Sequence, residues 1–365
     1  MKIEVYSPTI RRKEMDAVLT SLVEDKIGPG EQSRFLIQIA KENLKFEYAL
    51  ALRSPVIALY QALKLLNPGI SAGPGQLSDG PGEGSPLKTG QGVIVSSLAP
   101  RYYLTVLRDL ALTPVFCDVS SNFPCISRES IDAAMQKKPP GLEVKAIVLT
   151  HTLGFMPDLS PVLELGIPVI EDASDSFSPV SEEEAKAPER QSGVFVLLGL
   201  EERNILTAGG GALLYAVNRR DASVLRNSAD LPPEYCLPDM NAAMAVIQFR
   251  EAAKNLARRK EIAEVYTKSS LRTRHKRFIQ EGDYNNYAFP LILETGLKDV
   301  KAYARKKDIV VESAFEDTLA GTGVVDAAQC PEAYSLSLRT VLFPLYPRLQ
   351  ASEVERVSKL ILTLP

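Results

Sequence analysis

Seven short apolar runs, separated by helical patterns, constrain the fold of this chain more than any other feature. They are YALAL (48–52), GVIVSS (92–97), TPVFCDV (113–119), VKAIVLT (144–150), IPVIED (167–172), VFVLL (194–198) and ALLYA (212–216). Most are rich in Val, Ile and Leu with no polar alternation, the pattern of strands buried on both faces. Between them lie SPVIALYQALKLL (54–66), YLTVLRDLAL (103–112), SRESIDAAMQKK (127–138) and DLSPVLEL (158–165), each with helical spacing. Strand and helix in alternation predict βαβ units and an α/β fold around a mostly parallel seven-stranded sheet.

The pattern changes near Pro232. A long Ala-rich helical stretch (240–271) is followed by mixed strands (287–293, 308–313, 340–345) and a closing helix, ASEVERVSKLIL (351–362). At 365 residues the chain exceeds what one compact core needs. We therefore expect a large domain over 1–235 and a smaller α+β domain over 236–365. The Gly- and Pro-rich stretch 68–90 lacks the GxxxxGK[ST] order of a phosphate loop. It also runs from a helix into the start of a strand, the edge opposite to where such sheets bind ligands. A flexible surface insertion is expected there.

Composition excludes several classes. The formal net charge of −3 gives no basic footprint for nucleic acid or anionic membranes. No apolar run reaches membrane-spanning length, and the first residues lack the apolar core of a signal peptide. A cytoplasmic protein is expected. The four cysteines show no CxxC spacing and there are two histidines, so neither a disulfide framework nor a metal site is expected.

Chemistry concentrates at strand ends. VIEDASDSF places Glu171, Asp172 and Asp175 at the carboxyl end of one buried strand, and LTHTLGFMPDL places His151 at the end of the strand before it. GLEERNILTAGGG then sets Arg203 on a loop between the last two strands, ending in three glycines. Carboxyl ends of strands are where open α/β sheets bind ligands.

These blocks, in this order, resemble the DegT/DnrJ/EryC1/StrS family of fold-type-I, pyridoxal-phosphate (PLP)-dependent sugar aminotransferases. The resemblance extends to YSPTIRRKEMDAVLTSLVEDKIGPG near the start, GVIVSS, MNAAMAVIQF, RRKEIAEVY and LFPLYPRLQASEVERVSKLI. It implies a homodimer, a nucleotide-sugar ligand and a set of pocket positions. Asp172 falls on the aspartate that pairs with the pyridinium nitrogen, and His151 on the family histidine. Asn204, Gly210 and Gly211 match the tail of the motif that carries the cofactor-bonding lysine.

Other positions depart from the pattern. Arg203 stands at the lysine position, and no lysine occurs between Lys186 and Lys254. Leu198 replaces a phosphate-binding serine, and Ser54, Pro55 and Val56 replace a Ser-Gly-Thr turn. Pro100 lies where an aromatic stacks on the ring, Asp175 where a glutamine sits, and Leu237 where the partner subunit supplies an asparagine. A guanidinium stays protonated and is a poor nucleophile, so it cannot take over the lysine's covalent role. These departures lead us to expect no covalently held cofactor, with PLP at most a weak non-covalent ligand, and a pseudoenzyme or ligand-binding role. The alternatives are an active PLP-dependent nucleotide-sugar aminotransferase or dehydratase, and an enzyme using the acidic pocket without PLP. Arg203 is expected to turn inward and pair with Asp172, and with Asp175. The other reading sends it to solvent beside Glu201 and Glu202.

Overall fold

The computed structural model describes residues 2–66, 90–187, 191–280 and 284–365. The stretch 68–90, apart from Gly90, therefore lies outside the described residues.

Two helices, α1 (Arg12–Val23) and α2 (Glu31–Leu44), precede β1 (Tyr48–Leu52) and α3 (Pro55–Leu66). Then follow β2 (Gln91–Ser96), α4 (Tyr102–Asp109), β3 (Thr113–Cys117), α5 (Arg128–Lys137) and β4 (Glu143–Thr150). The chain continues through α6 (Ser160–Leu163), β5 (Val169–Asp172), α7 (Glu182–Lys186), β6 (Phe195–Gly199), β7 (Ala212–Ala216) and α8 (Arg219–Asn227). The strands form one seven-stranded sheet in the order β1-β7-β6-β5-β4-β2-β3. Neighbours from β6 to β3 run parallel, while β7 is antiparallel to both β6 and β1. The sheet is the mostly parallel one expected.

Its strands lack alternation because each face has its own core. Phe195 and Leu197 of β6 join one apolar cluster, and Val196 and Leu198 the other. In β7, Ala212, Leu214 and Ala216 face the first cluster, and Leu213 and Tyr215 the second. Period two is present, but both faces are dry.

The long stretch forms one helix, α9 (Asp239–Ser270). Its first residue, Asp239, is buried and accepts hydrogen bonds from the backbone N–H groups of Gly30, Gln32 and Ser33 at 2.9, 3.0 and 2.9 Å. It thereby caps the start of α2 from a distant part of the chain. Past α9 lie β8 (Phe289–Ile292), α10 (Leu297–Arg305), β9 (Glu312–Ser313), α11 (Pro331–Arg339), β10 (Thr340–Phe343) and α12 (Ala351–Leu362). The three strands form an antiparallel sheet, β8-β10-β9. No helix among the described residues is long and apolar enough to cross a membrane.

Candidate functional site

The carboxyl ends of the central strands converge. Thr150 of β4 is in register with Asp172 of β5, and Asp172 with Leu197 of β6. A cavity of about 130 Å³ opens at this edge, lined among others by Pro55, Pro100, Tyr102, His151, Asp172 and Asp175. A second cavity of about 600 Å³ shares Pro100, Thr150 and Asp175 with it and reaches Glu312 to Thr318.

Asp172 is 3% exposed and its carboxylate is fully engaged. Oδ2 accepts from the hydroxyl of Tyr103 at 2.6 Å and from that of Tyr102 at 3.3 Å. Oδ1 accepts from the backbone N–H of Ser174 at 3.1 Å and from the Ser174 hydroxyl. Burial first, and then the negative Asp172, pushes both tyrosine hydroxyls well above their ordinary range, so they stay protonated donors. Asp175 sits beside them and accepts from Asn204 Nδ2 at 3.4 Å. Burial, and after it the charge of Asp172, raises its carboxyl to about 7. His151 is buried, with Nδ1 against the hydroxyl of Ser176 and Nε2 3.4 Å from Glu171 Oε2.

The β6–β7 loop is held from within. The Leu200 N–H donates to Gly211 O at 2.8 Å, and the Ala208 N–H to Leu200 O at 2.9 Å. Asn204 Oδ1 accepts from the Glu201 N–H at 2.8 Å, while Nδ2 donates to Ser174 O at 3.1 Å, tying the loop to the end of β5. Gly211 has φ +122°, and a Cβ there would lie 2.4 Å from Leu237 Cδ1. The final glycine is thus required by its own backbone and by the Leu237 side chain beneath it.

Arg203 does not enter the pocket to meet Asp172 or Asp175. Its Nη1 lies 2.8 Å from Glu312 Oε2, with the Arg203 side chain 58% exposed and its guanidinium carbon 5.8 Å from the centre of the Tyr6 ring. The expectation of an inward pair is therefore corrected. Tyr102, Tyr103 and Ser174 already supply donors to Asp172, and a guanidinium at the rim escapes the desolvation cost of a buried ion pair. Nor does Arg203 stand free in solvent, since Glu312 of the small sheet meets it.

The remaining positions divide between lining and core. Pro100 lines both cavities, and Asn204 lines the smaller. Ser54 caps α3, its Oγ accepting from the Ile57 N–H at 3.3 Å. Val56 lies one residue into α3, 36% exposed. Leu198 and Leu237 are core residues of the sheet's second face. Sequence reasoning missed Tyr102, Tyr103 and Glu312, and took Glu201, which lines the smaller cavity, only as a solvent neighbour of Arg203. The available signal was a pair of tyrosines opening the helix that follows the turn after β2.

Family comparison matches the DegT/DnrJ/EryC1/StrS aminotransferase family over residues 8–216 and 217–362. Among solved structures, the chain is similar to the aminotransferase TlmJ of Streptoalloteichus hindustanus, at 20% identity and a TM-score of 0.79, over 98% of this chain and 97% of that one. It is similar to the PLP-form of Spr1654 from Streptococcus pneumoniae, at 16% identity and a TM-score of 0.81, over 100% and 98% of the two chains. It is also similar to the E. coli GDP-4-keto-6-deoxy-D-mannose-3-dehydratase with bound hydrated PLP, at 14% identity and a TM-score of 0.78, over 99% of each chain.

These findings overturn the expectation that no cofactor is held covalently and that PLP is at most a weak ligand. The matched family is one of aminotransferases and two of these neighbours are solved with PLP, so PLP is the cofactor the fold implies. Substituted positions taken one at a time understate what persists at the sheet edge, above all buried Asp172 and the capped start of α3. Matched from residue 8 to residue 362, the chain belongs to the DegT/DnrJ/EryC1/StrS aminotransferase family.

Proposed function

We propose that this chain keeps its family's cofactor pocket without lysine-dependent amino transfer, and acts as a pseudoenzyme whose pocket binds ligand. One observation carries the reading. The residue at the end of the loop's reach is Arg203, turned to Glu312, and no lysine is among the residues lining either cavity. A guanidinium neither releases its proton near neutrality nor attacks a carbonyl. It therefore cannot carry a proton between two carbons, as amino transfer requires.

The pocket's polarity fits PLP at both ends. Asp172 is a buried carboxylate at the end of β5, the partner that a ring N–H requires. Pro55, the first residue of α3, lines the same cavity, and a helix start presents its positive end to a phosphate. Between these ends Asp175, with its carboxyl at about 7, carries only part of a negative charge near neutrality. Bound there, PLP supplies an electron sink. Asp172 would hold the ring nitrogen, and the start of α3 the phosphate. His151, steadied by Ser176 and Glu171, would close one side of the site.

The larger cavity supports a nucleotide-sugar as the ligand, since one similar structure is named for a GDP-linked sugar. That neighbour, with hydrated PLP, also favours a second reading, a dehydratase, because an aldehyde hydrate has no bond to a lysine. A homodimer is supported by α1 and the loop after it, which expose Met15, Leu19, Leu22, Val23 and Ile27.

The test is to titrate the purified protein with PLP and to assay amino transfer from glutamate to a nucleotide 4-ketosugar. The expected result is that PLP binds and that no amino transfer follows. Amino transfer sinks the reading. Water loss from a GDP-4-keto-6-deoxy sugar, without amino transfer, replaces it with the dehydratase.

A further inference from the structure

We propose that Tyr102 is a built-in occupant of the ring site, so that a pyridine-ring ligand binds Asp172 only as Tyr102 leaves it. The inference rests on the reading above, in which Asp172 receives the ring N–H.

The two tyrosines on Asp172 are not equivalent. Tyr103 is fully enclosed, lies in the core beneath the sheet, bonds Asp172 at 2.6 Å and also contacts Thr150 Oγ1 at 3.1 Å. It is fixed by packing. Tyr102 is only partly buried, makes a longer bond of 3.3 Å to the same oxygen and lines the cavity. It is also the first residue of α4, so no preceding turn of that helix encloses its side chain, whose ring rests edge-on against that of Tyr103 at 5.0 Å. Of the two donors, Tyr102 is the one that can be exchanged.

The donor it presents is the kind a ligand would bring. A protonated ring nitrogen offers one N–H to a carboxylate oxygen, and Tyr102 offers one O–H to Asp172 Oδ2. With Tyr103 and Ser174 in place, Tyr102 completes four donors on that carboxylate. A further donor would find no free acceptor position.

Space leads to the same residue. The cavity at Asp172 is about 130 Å³, well below the roughly 300 Å³ at which small-molecule pockets begin. The adjoining cavity of about 600 Å³ shares Pro100, Thr150 and Asp175 but is lined by neither Asp172 nor Pro55, so the room between the ring and phosphate partners stays narrow while Tyr102 faces inward. Apparent affinity is then lowered by the fraction of molecules in which Tyr102 is inward.

The probe is pyridoxamine 5′-phosphate, whose amine cannot bond to a lysine, so binding reads the ring site alone. Its dissociation constant is measured by fluorescence titration for the parent, Y102F and Y102A, with a thermal melt of each. Y102A is expected to bind about tenfold tighter or more, and Y102F a few-fold tighter because its ring still takes up space. Y103F is expected to lower Tm without tightening binding. If Y102A melts like the parent and binds no more tightly, Tyr102 is a wall of the site and the proposal is overturned. Should Y102A fail to fold, Y102F decides, and unchanged affinity overturns the proposal. D172N separates the two readings. If D172N weakens binding while the Tyr102 variants leave it unchanged, only the Tyr102 proposal falls. If D172N has no effect, ring placement on Asp172 falls with it.

Discussion

Arg203 Nη1 and Glu312 Oε2 stand 2.8 Å apart, joining the loop after the sixth strand of the large sheet to an edge strand of the small one. The two side chains are 58% and 33% exposed, so solvent screens the pair. A double-mutant cycle with R203A and E312A should give a coupling of about 0.2–1 kcal/mol by urea unfolding, falling as salt is raised. A salt-insensitive coupling of several times that size (roughly 3 kcal/mol) would mean that the pair is buried in solution.

Asp175 makes stability depend on pH in the opposite sense to an ordinary salt-bridged carboxylate. Burial, then Asp172, raises its carboxyl from 3.8 to about 7 in the folded chain. The folded form therefore binds the proton more tightly than the unfolded one. Its contribution is full below about pH 4 and is lost as pH rises through about 7. D175N removes the titration. The Tm difference between D175N and the parent should move in the variant's favour between about pH 5 and about pH 8. Parallel Tm profiles across that range would refute the assignment.

Asn204 ties the loop to the sheet edge through three hydrogen bonds, to the Glu201 N–H, Ser174 O and Asp175 Oδ1. It is 9% exposed, so N204A leaves buried partners unpaired. The expected cost is about 1–3 kcal/mol by urea unfolding. A change below a few tenths of that would show that water replaces the side chain.

Gly211 has φ +122° and faces Leu237 at 2.4 Å from where a Cβ would stand. G211A should cost more than about 1 kcal/mol, seen as a lower Tm, since both the backbone and the space oppose a side chain. A neutral G211A would show that the loop adopts another path.

Much of the large sheet could be read from the chain because its strands are local apolar runs. YALAL and ALLYA are strands over the residues expected, and the final helix runs Ala351–Leu362 as written. Asp172, His151 and Asn204 line one cavity at the sheet edge because short motifs place them on strand ends and the loop. What stayed hidden depends on contacts across long stretches of chain. Tyr103 meets Asp172 across 69 residues, and Arg203 meets Glu312 across 109. No local pattern encodes either. Tyr103 has the spacing of any helical residue in 103–112. Leu198, at the position of a phosphate-binding serine in the resemblance, is a core residue of the sheet's second face and is not among the residues lining the smaller cavity. The run 308–313 shortens to Glu312–Ser313 because only those residues pair with β10.

The 32-residue helix α9 is rooted in two cores. Ala242, Ala245, Val246, Phe249 and Ala252 pack under the large sheet, and Ile262, Ala263 and Tyr266 pack against the small one. Neither sheet can melt alone without exposing half of a helix that the other still holds. The two layers should therefore lose structure in a single cooperative step, and the slowest-exchanging amides should run along α9 from one core into the other.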